Sequence, residues 1–228
     1  MAHRTVGEVM TSGVITVTAR TRFKELARLM AKHDVSSLPV LDEDGRVVGV
    51  VCEVDLLRKE EYQEDPAAKR PPRWRRWPDR ARARGRTARD VMTSPAVTVA
   101  PEATVVEAAR LMDRHRIKHL VVAVTGGGLA GIVTPHDLLR VYLRPDDDIR
   151  AEIVGEVFVG YLGTSPRLVK VNVADGVVTL EGEVENKSMI PSAVRMTKAV
   201  DGVVDVVDKL TFAVDDTHRP AVADLTNY

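Results

Sequence analysis

Two short stretches hold the residues best placed to do chemistry. Thr134-Pro135-His136-Asp137 sets a hydroxyl and a carboxylate three positions apart, with an imidazole between them. Cys52-Glu53-Val54-Asp55 stands 82 positions earlier in the same register. Each follows an apolar run and opens a predicted helix, with Thr134 suited to the N-cap and Pro135 to the first helical position. A carboxylate there accepts charge-assisted hydrogen bonds, and the helix N-terminus favours an anion. The same residues also suffice for a helix cap followed by a first-turn acid. The earlier stretch departs: Cys52 replaces the hydroxyl, Glu53 adds a negative charge, and Val54 stands where His136 does, while Asp55 remains.

Other groups do less. His33 and His115 recur at the end of one predicted helix, where an imidazole suits the dipole. His115 and His119 are four apart, but the helix should end between them, so they share no ligand face. Nothing in the sequence gives Cys52 the lowered pKa of a redox switch. Met10, Met30, Met92 and Met112 read as core filler. Gly126-Gly127-Gly128 joins two predicted strands and is a turn, not a phosphate loop. With no nucleophile–base pair, metal cluster or Gly-rich phosphate loop, the sequence reads as non-enzymatic.

The elements that must position these groups come in duplicate. Residues 87–140 return, shifted by 82 and without a gap, as residues 5–58, with 22 of the 54 pairs identical. Val-Met-Thr-Ser near the start of each copy, and Gly-x-Val then Asp-Leu-Leu-Arg near its end, carry the match. Two copies argue for a pair packed face to face and not for a solenoid. Each copy reads as strand, helix, strand, strand, helix. Residues 14–17 are a β-branched run, Thr21 and Thr104 are candidate N-caps, and Leu26, Leu29 and Met30 fall at helical spacing. The turns at residues 42–45 and 125–128 join apolar runs.

Beyond the repeats, residues 146–161 predict a helix with Ile149, Ile153, Val157 and Tyr161 on one stripe, and its three leading aspartates suit the dipole. Two alternating runs around Asp175-Gly176 predict a hairpin, followed by a helix over 187–200 and a last strand over 203–214. The domain plan is therefore 1–61, first repeat; 62–86, an Arg/Pro-rich linker; 87–144, second repeat; 145–215, a small αββαβ domain; and 216–228, a flexible tail. The fold class is α+β.

Net charge is zero over 228 residues, but unevenly spread. Residues 69–89 hold ten Lys/Arg against one acid, with Trp74 and Trp77 among them, whereas residues 146–228 hold fifteen acids against eight bases. Such a linker could meet nucleic acid by charge and stacking, but no nucleic-acid fold accompanies it, so contact with the protein's own acidic surface, or a solvated loop, is the expectation. A single cysteine suits a reducing compartment, and no apolar run reaches membrane-span length. The chain is expected to be cytoplasmic.

The duplicated unit, on its Val-Met-Thr and Gly-x-Val-Thr-x-x-Asp-Leu motifs, resembles a CBS domain pair over about residues 5–142. Residues 146–214, with Val-x-Val-x-x-Gly-Val-Val-Thr-Leu-x-Gly-x-Val and Val-x-Gly-Val-x-x-Val, resemble a BON domain. The first resemblance implies two β-α-β-β-α repeats in a pseudo-two-fold pair that senses an adenosine compound such as AMP, ADP or ATP. It implies that Thr134 and Asp137 hold ribose and His136 meets phosphate. It also implies that the backbone from Ile117 to Leu120 edges the adenine, with Lys118 and His119 as further phosphate donors. Asp55 is the matching group of the first repeat, where Glu53 repels phosphate. That site is expected to be weak, empty or restricted to an uncharged nucleoside. The BON resemblance implies a loose association with lipid or membrane surfaces, which the acidity of residues 146–228 weakens.

The function expected on these grounds is a non-enzymatic regulator. Its CBS pair binds an adenosine nucleotide as ligand, not as catalytic cofactor, and modulates how the BON-like domain meets an unidentified protein partner. Homodimerisation through the CBS pairs is expected from the family and from apolar helical faces. The competing reading is an interaction scaffold with an empty pair, in contact with nucleic acid, membrane or protein.

Overall fold

The computed structural model describes residues 4–61 and 85–217, excepting the side chains of residues 58–61. The expected linker, with Trp74 and Trp77, lies outside the described residues except for residues 85 and 86, and so does the tail from residue 218. The described residues fall into two compact units, Arg4–Leu138 and 139–217.

The first unit contains both repeats. Repeat one comprises α1 (Val6–Val9), β1 (Val17–Thr18), α2 (Phe23–His33), β2 (Ser37–Leu41), β3 (Val47–Cys52) and α3 (Glu53–Glu61). Repeat two comprises α4 (Ala88–Val91), β4 (Thr98–Val99), α5 (Val105–His115), β5 (Leu120–Ala123), β6 (Leu129–Val133) and α6 (Pro135–Leu139). Each forms a three-stranded sheet, its first strand parallel to the second and the second antiparallel to the third. The N-cap of α5 is Thr104, whose hydroxyl accepts from Glu107 N at 3.1 Å in a capping box. The N-cap of α2 is Arg22, not Thr21. Arg22 is the counterpart of Thr104 under the 82-residue shift, and the Thr21 hydroxyl instead accepts from Thr18 N at 3.1 Å.

The leading helix of each repeat is built into the other repeat. Val6 N donates to Ala103 O and Gly7 N to Pro101 O, both at 2.8 Å. Reciprocally, Ala88 N donates to Thr21 O at 2.8 Å and Arg89 N to Ala19 O at 3.0 Å. Ala88 and Val91 belong to the core of repeat one, beside Leu26, Leu38, Val40 and Val51. This exchange explains both repeated motifs as two sides of one contact. A Cβ on Gly131 would stand 2.7 Å from Thr11 O and 2.8 Å from Met10 Sδ, and one on Gly49 would meet Met92 Sδ at 2.7 Å and Thr93 O at 2.9 Å. Only glycine lets Val-Met-Thr of one repeat lie across the third strand of the other. Gly131→Ala is therefore expected to destabilise the first unit by about 1–3 kcal/mol through overpacking, read as a lower urea midpoint. An unchanged midpoint would show that the crossing segment yields freely.

The second unit opens with a short 3₁₀ turn (Arg140–Leu143) and α7 (Asp146–Glu152), which runs into a π-helix (Ile153–Tyr161). Strands β7 (Val169–Ala174) and β8 (Val177–Asn186) form the expected hairpin, with Asp175 and Gly176 both at positive φ (50° and 73°), the requirement of a two-residue turn that twists with its strands. The Asp146 carboxylate accepts from Asp175 N (2.8 Å) and Gly176 N (2.9 Å), tying the start of α7 to that turn. Helix α8 (Met189–Lys198) and strand β9 (Asp205–Val214), parallel to β8, complete the unit. Its core gathers Ile149, Ile153, Val157 and Phe158 over the sheet. Tyr161, expected on the buried stripe, is 62 % exposed while Phe158 is 1 % exposed. The cause is the wide turn, in which Leu162 N donates to Val157 O five residues back, at 3.0 Å, and rotates the later residues past the helical period.

Candidate functional site

Strand β6 ends at Val133 and α6 begins at Pro135, which leaves Thr134 at the corner. One oxygen of Asp137, Oδ2, accepts from Thr134 N at 2.8 Å and from Thr134 Oγ1 at 2.7 Å, and Asp137 N donates weakly back to Oγ1 at 3.4 Å. Oδ1 takes part in neither of these bonds. The carboxylate is 9 % exposed, and the arrangement is a helix cap with acceptor capacity left over. Repeat one keeps the backbone half: Cys52 N donates to Asp55 Oδ2 at 2.9 Å, and Asp55 is 4 % exposed. A thiol, a weak hydrogen-bonding group, stands there in place of the hydroxyl.

Thr134 opens on a cleft of about 430 Å³ whose lining comes largely from repeat one: residues 11, 13–15 and 33–37, with His119, Ile132 and Thr134 from repeat two. The crossing segment brings repeat one there, because Thr11 exchanges backbone hydrogen bonds with Ile132 at 2.9 and 3.0 Å. The wall beside Thr134 is thus residues 33–37, the counterparts of 115–119. Ile117 and Lys118, expected at the adenine edge, do not line this cleft, and neither does His136, which is exposed on α6. Thr134 and His119 do line it; Asp137 does not, but lies buried directly behind Thr134, to which it is hydrogen-bonded. Reading each repeat as self-contained hides residues 11–15 and 33–37. The signal that could have found them is the pairing of Gly131 with the Met10-Thr11 segment.

His119 ties the two repeats together. Its Nε2 lies 2.8 Å from Ser36 Oγ and its Nδ1 3.8 Å from Cys52 Sγ. Burial holds the imidazole below its ordinary pKa; Glu53 offsets this in part and Lys118 adds to it. Burial, then the charges of Asp55 and Glu53, push the Cys52 thiol up to about 12. The thiol therefore keeps its proton at neutral pH and faces Nδ1. That favours the tautomer in which Nε2–H donates to Ser36, an assignment made from the hydrogen-bond network. The imidazole thus lies against the sulfur that occupies the hydroxyl position of repeat one. Among the described residues, no group of three or more His, Cys, Asp or Glu could hold a metal ion. Nor is any described helix long and apolar enough to cross a membrane.

Two intertwined β-α-β-β-α repeats, with a hydroxyl–carboxylate cap beside the cleft between them, define the class of fold. The chain belongs to the CBS domain family, matched at residues 6–62 and 88–144, and a BON domain follows at residues 146–214. It is 32 % identical over 141 residues to an uncharacterized protein of Methanopyrus kandleri, a match covering 62 % of this chain and 64 % of the relative. It is 31 % identical over 140 residues to an uncharacterized protein of Methanocaldococcus jannaschii, covering 61 % of this chain and 32 % of the relative. The chain thus spans between about a third and just under two thirds of the length of these relatives. An inosine-5′-monophosphate dehydrogenase of Korarchaeum cryptofilum is 31 % identical over 125 residues, which cover 55 % of this chain and 21 % of the enzyme. Among solved structures, the CBS-pair protein CBSX2 of Arabidopsis thaliana in complex with AMP superposes with a TM-score of 0.54 at 28 % identity, covering 61 % of this chain and 96 % of that one.

Proposed function

We propose that this protein is a non-catalytic regulator whose CBS pair binds one adenosine ligand per chain in the Thr134 cleft. Binding shifts the pair between arrangements and so alters how the BON domain meets a partner. The observation that carries this reading is the Thr134–Asp137 cap opening on a cleft of about 430 Å³. Vicinal ribose hydroxyls are suited to donate to a carboxylate so placed. The likeness to a CBS pair that holds AMP supports the ligand class. The shared segment with inosine-5′-monophosphate dehydrogenase, about a fifth of that enzyme, supports a regulatory role over a catalytic one. The Cys52 position, where a thiol in contact with His119 replaces the hydroxyl and Glu53 adds a negative charge, supports a single site per pair. Association of two chains is part of the same reading, supported by Val54 and Leu57, both large, apolar and exposed on α3.

The test is a thermal-shift screen with adenosine, AMP, ADP, ATP, NAD and S-adenosylmethionine, followed by calorimetry on those that shift. A ligand at 100 times its Kd is expected to add about 2.7 kcal/mol of stability. Stoichiometry should be one per chain, and bound ligand should change amide exchange over residues 146–161. Failure of every compound to shift the transition would leave the pair as a scaffold. Two equivalents bound per chain would refute the single-site reading.

A further inference from the structure

Among the described residues that line the cleft, the one carboxylate is Asp34 of repeat one, beside the imidazole of His33, and no lysine or arginine lines it. Helix α2 runs for eleven residues and ends at the cleft, so its C-terminus presents partial negative charge there. Its C-cap is Asp34, exposed and in the left-handed region (φ 52°), which adds a full negative charge at the same place. Two residues on, Ser36 contributes a hydroxyl. The counterparts of these two residues in repeat two are Arg116, with the same φ of 52°, and Lys118. The cations that would greet a phosphate chain thus occupy the equivalent wall of repeat two, and neither lines the cleft that Thr134 opens on. The intact hydroxyl–carboxylate cap thus opens on the wall that carries Asp34 and Ser36, while the copy of that wall with Arg116 and Lys118 corresponds, under the 82-residue shift, to the repeat-one cap in which Cys52 replaces the hydroxyl.

We infer that the Thr134 cleft selects adenosine compounds whose 5′ substituent is uncharged or cationic, such as a thioether or sulfonium, and discriminates against 5′-phosphate chains. This rests on the adenosine reading above and specifies the ligand class within it. The discrimination is electrostatic. Each added phosphate charge facing the Asp34 wall should weaken binding on the order of threefold to tenfold at low salt, and screening should shrink that factor.

The experiment is calorimetry on the full chain with 5′-methylthioadenosine, S-adenosylmethionine, AMP and ATP, at pH 8, where histidine side chains in general are neutral. It compares the native protein with Asp34→Arg. Arg116 occupies the same αL cap position in repeat two, so the substitution asks nothing new of the backbone. The native protein should bind methylthioadenosine or S-adenosylmethionine at least about tenfold more tightly than ATP. Asp34→Arg should improve ATP binding by about tenfold, leave methylthioadenosine within about twofold, and lose its gain in 0.5 M salt. ATP binding tightest to the native protein, or ATP binding indifferent to Asp34→Arg, would overturn this inference and leave the adenosine reading intact. Absence of binding by all four compounds to both proteins would overturn the adenosine reading itself.

Discussion

Asp137→Ala is expected to remove most binding of the adenosine ligand. Hydrogen bonds to a charged group contribute about 1.5–3 kcal/mol each, so losing the acceptor for two ribose hydroxyls should cost roughly a hundredfold or more in Kd. The same change strips Thr134 N and Oγ1 of their shared acceptor, which costs stability as well. Asp137→Asn separates the two effects, since it keeps an acceptor for the cap but removes the charge; intermediate affinity with near-native stability is expected. Asp55→Ala is the internal control. It deletes the equivalent buried carboxylate, which accepts from Cys52 N beside a thiol in place of the hydroxyl, and should change affinity by no more than a few fold. Calorimetry on the three variants decides the matter. Greater damage from Asp55→Ala than from Asp137→Ala would mean that the ligand sits in repeat one and that the asymmetry between the repeats has been read backwards.

That asymmetry was legible in the residues themselves. Cys52 for Thr134, Glu53 for Pro135 and Val54 for His136 are visible once the copies are set 82 apart. The wall of the cleft was not. A repeat aligned with itself shows which residues correspond, not which ones touch. Here Met10-Thr11 lies against Gly131 of the other copy and Met92-Thr93 against Gly49. The exchange carries residues 11–15 from repeat two's β6 into repeat one's sheet. The CBS resemblance named Lys118 as a phosphate donor; the lining of the Thr134 cleft holds Ser36, its counterpart in the other repeat, and not Lys118. Thr21 and Arg22 teach a related lesson. Threonine is the better cap by propensity, yet the register of the repeat, which sets Arg22 opposite Thr104, wins over side-chain preference. Neither residue's type could reveal that, but the alignment of copies could.

In the C-terminal unit the periodicity was right for two turns and then failed, and the failure supplies the second large expected effect. Ile149, Ile153 and Val157 follow the four-residue step into the core, and a further step of four would bury Tyr161. The π-helix breaks that step and gives the place to Phe158, the largest fully buried side chain among the described residues. No local residue announces the wide turn; it takes shape only when the helix meets the sheet of β7, β8 and β9. Phe158→Ala should therefore cost about 3–5 kcal/mol, from lost burial and the cavity left behind. Tyr161→Ala, at an exposed position, should stay within about 0.5 kcal/mol of the native protein. The sequence's two tryptophans, Trp74 and Trp77, belong to the linker between the repeats, so indole fluorescence is a poor reporter for this unit. Amide exchange along β8, whose Val178, Leu180 and Val184 lie in the same core, reads its opening directly. Protection there should collapse in Phe158→Ala and persist in Tyr161→Ala. Equal loss in the two variants would show that the helix keeps an ordinary period in solution and that the stripe ending at Tyr161 was the correct reading.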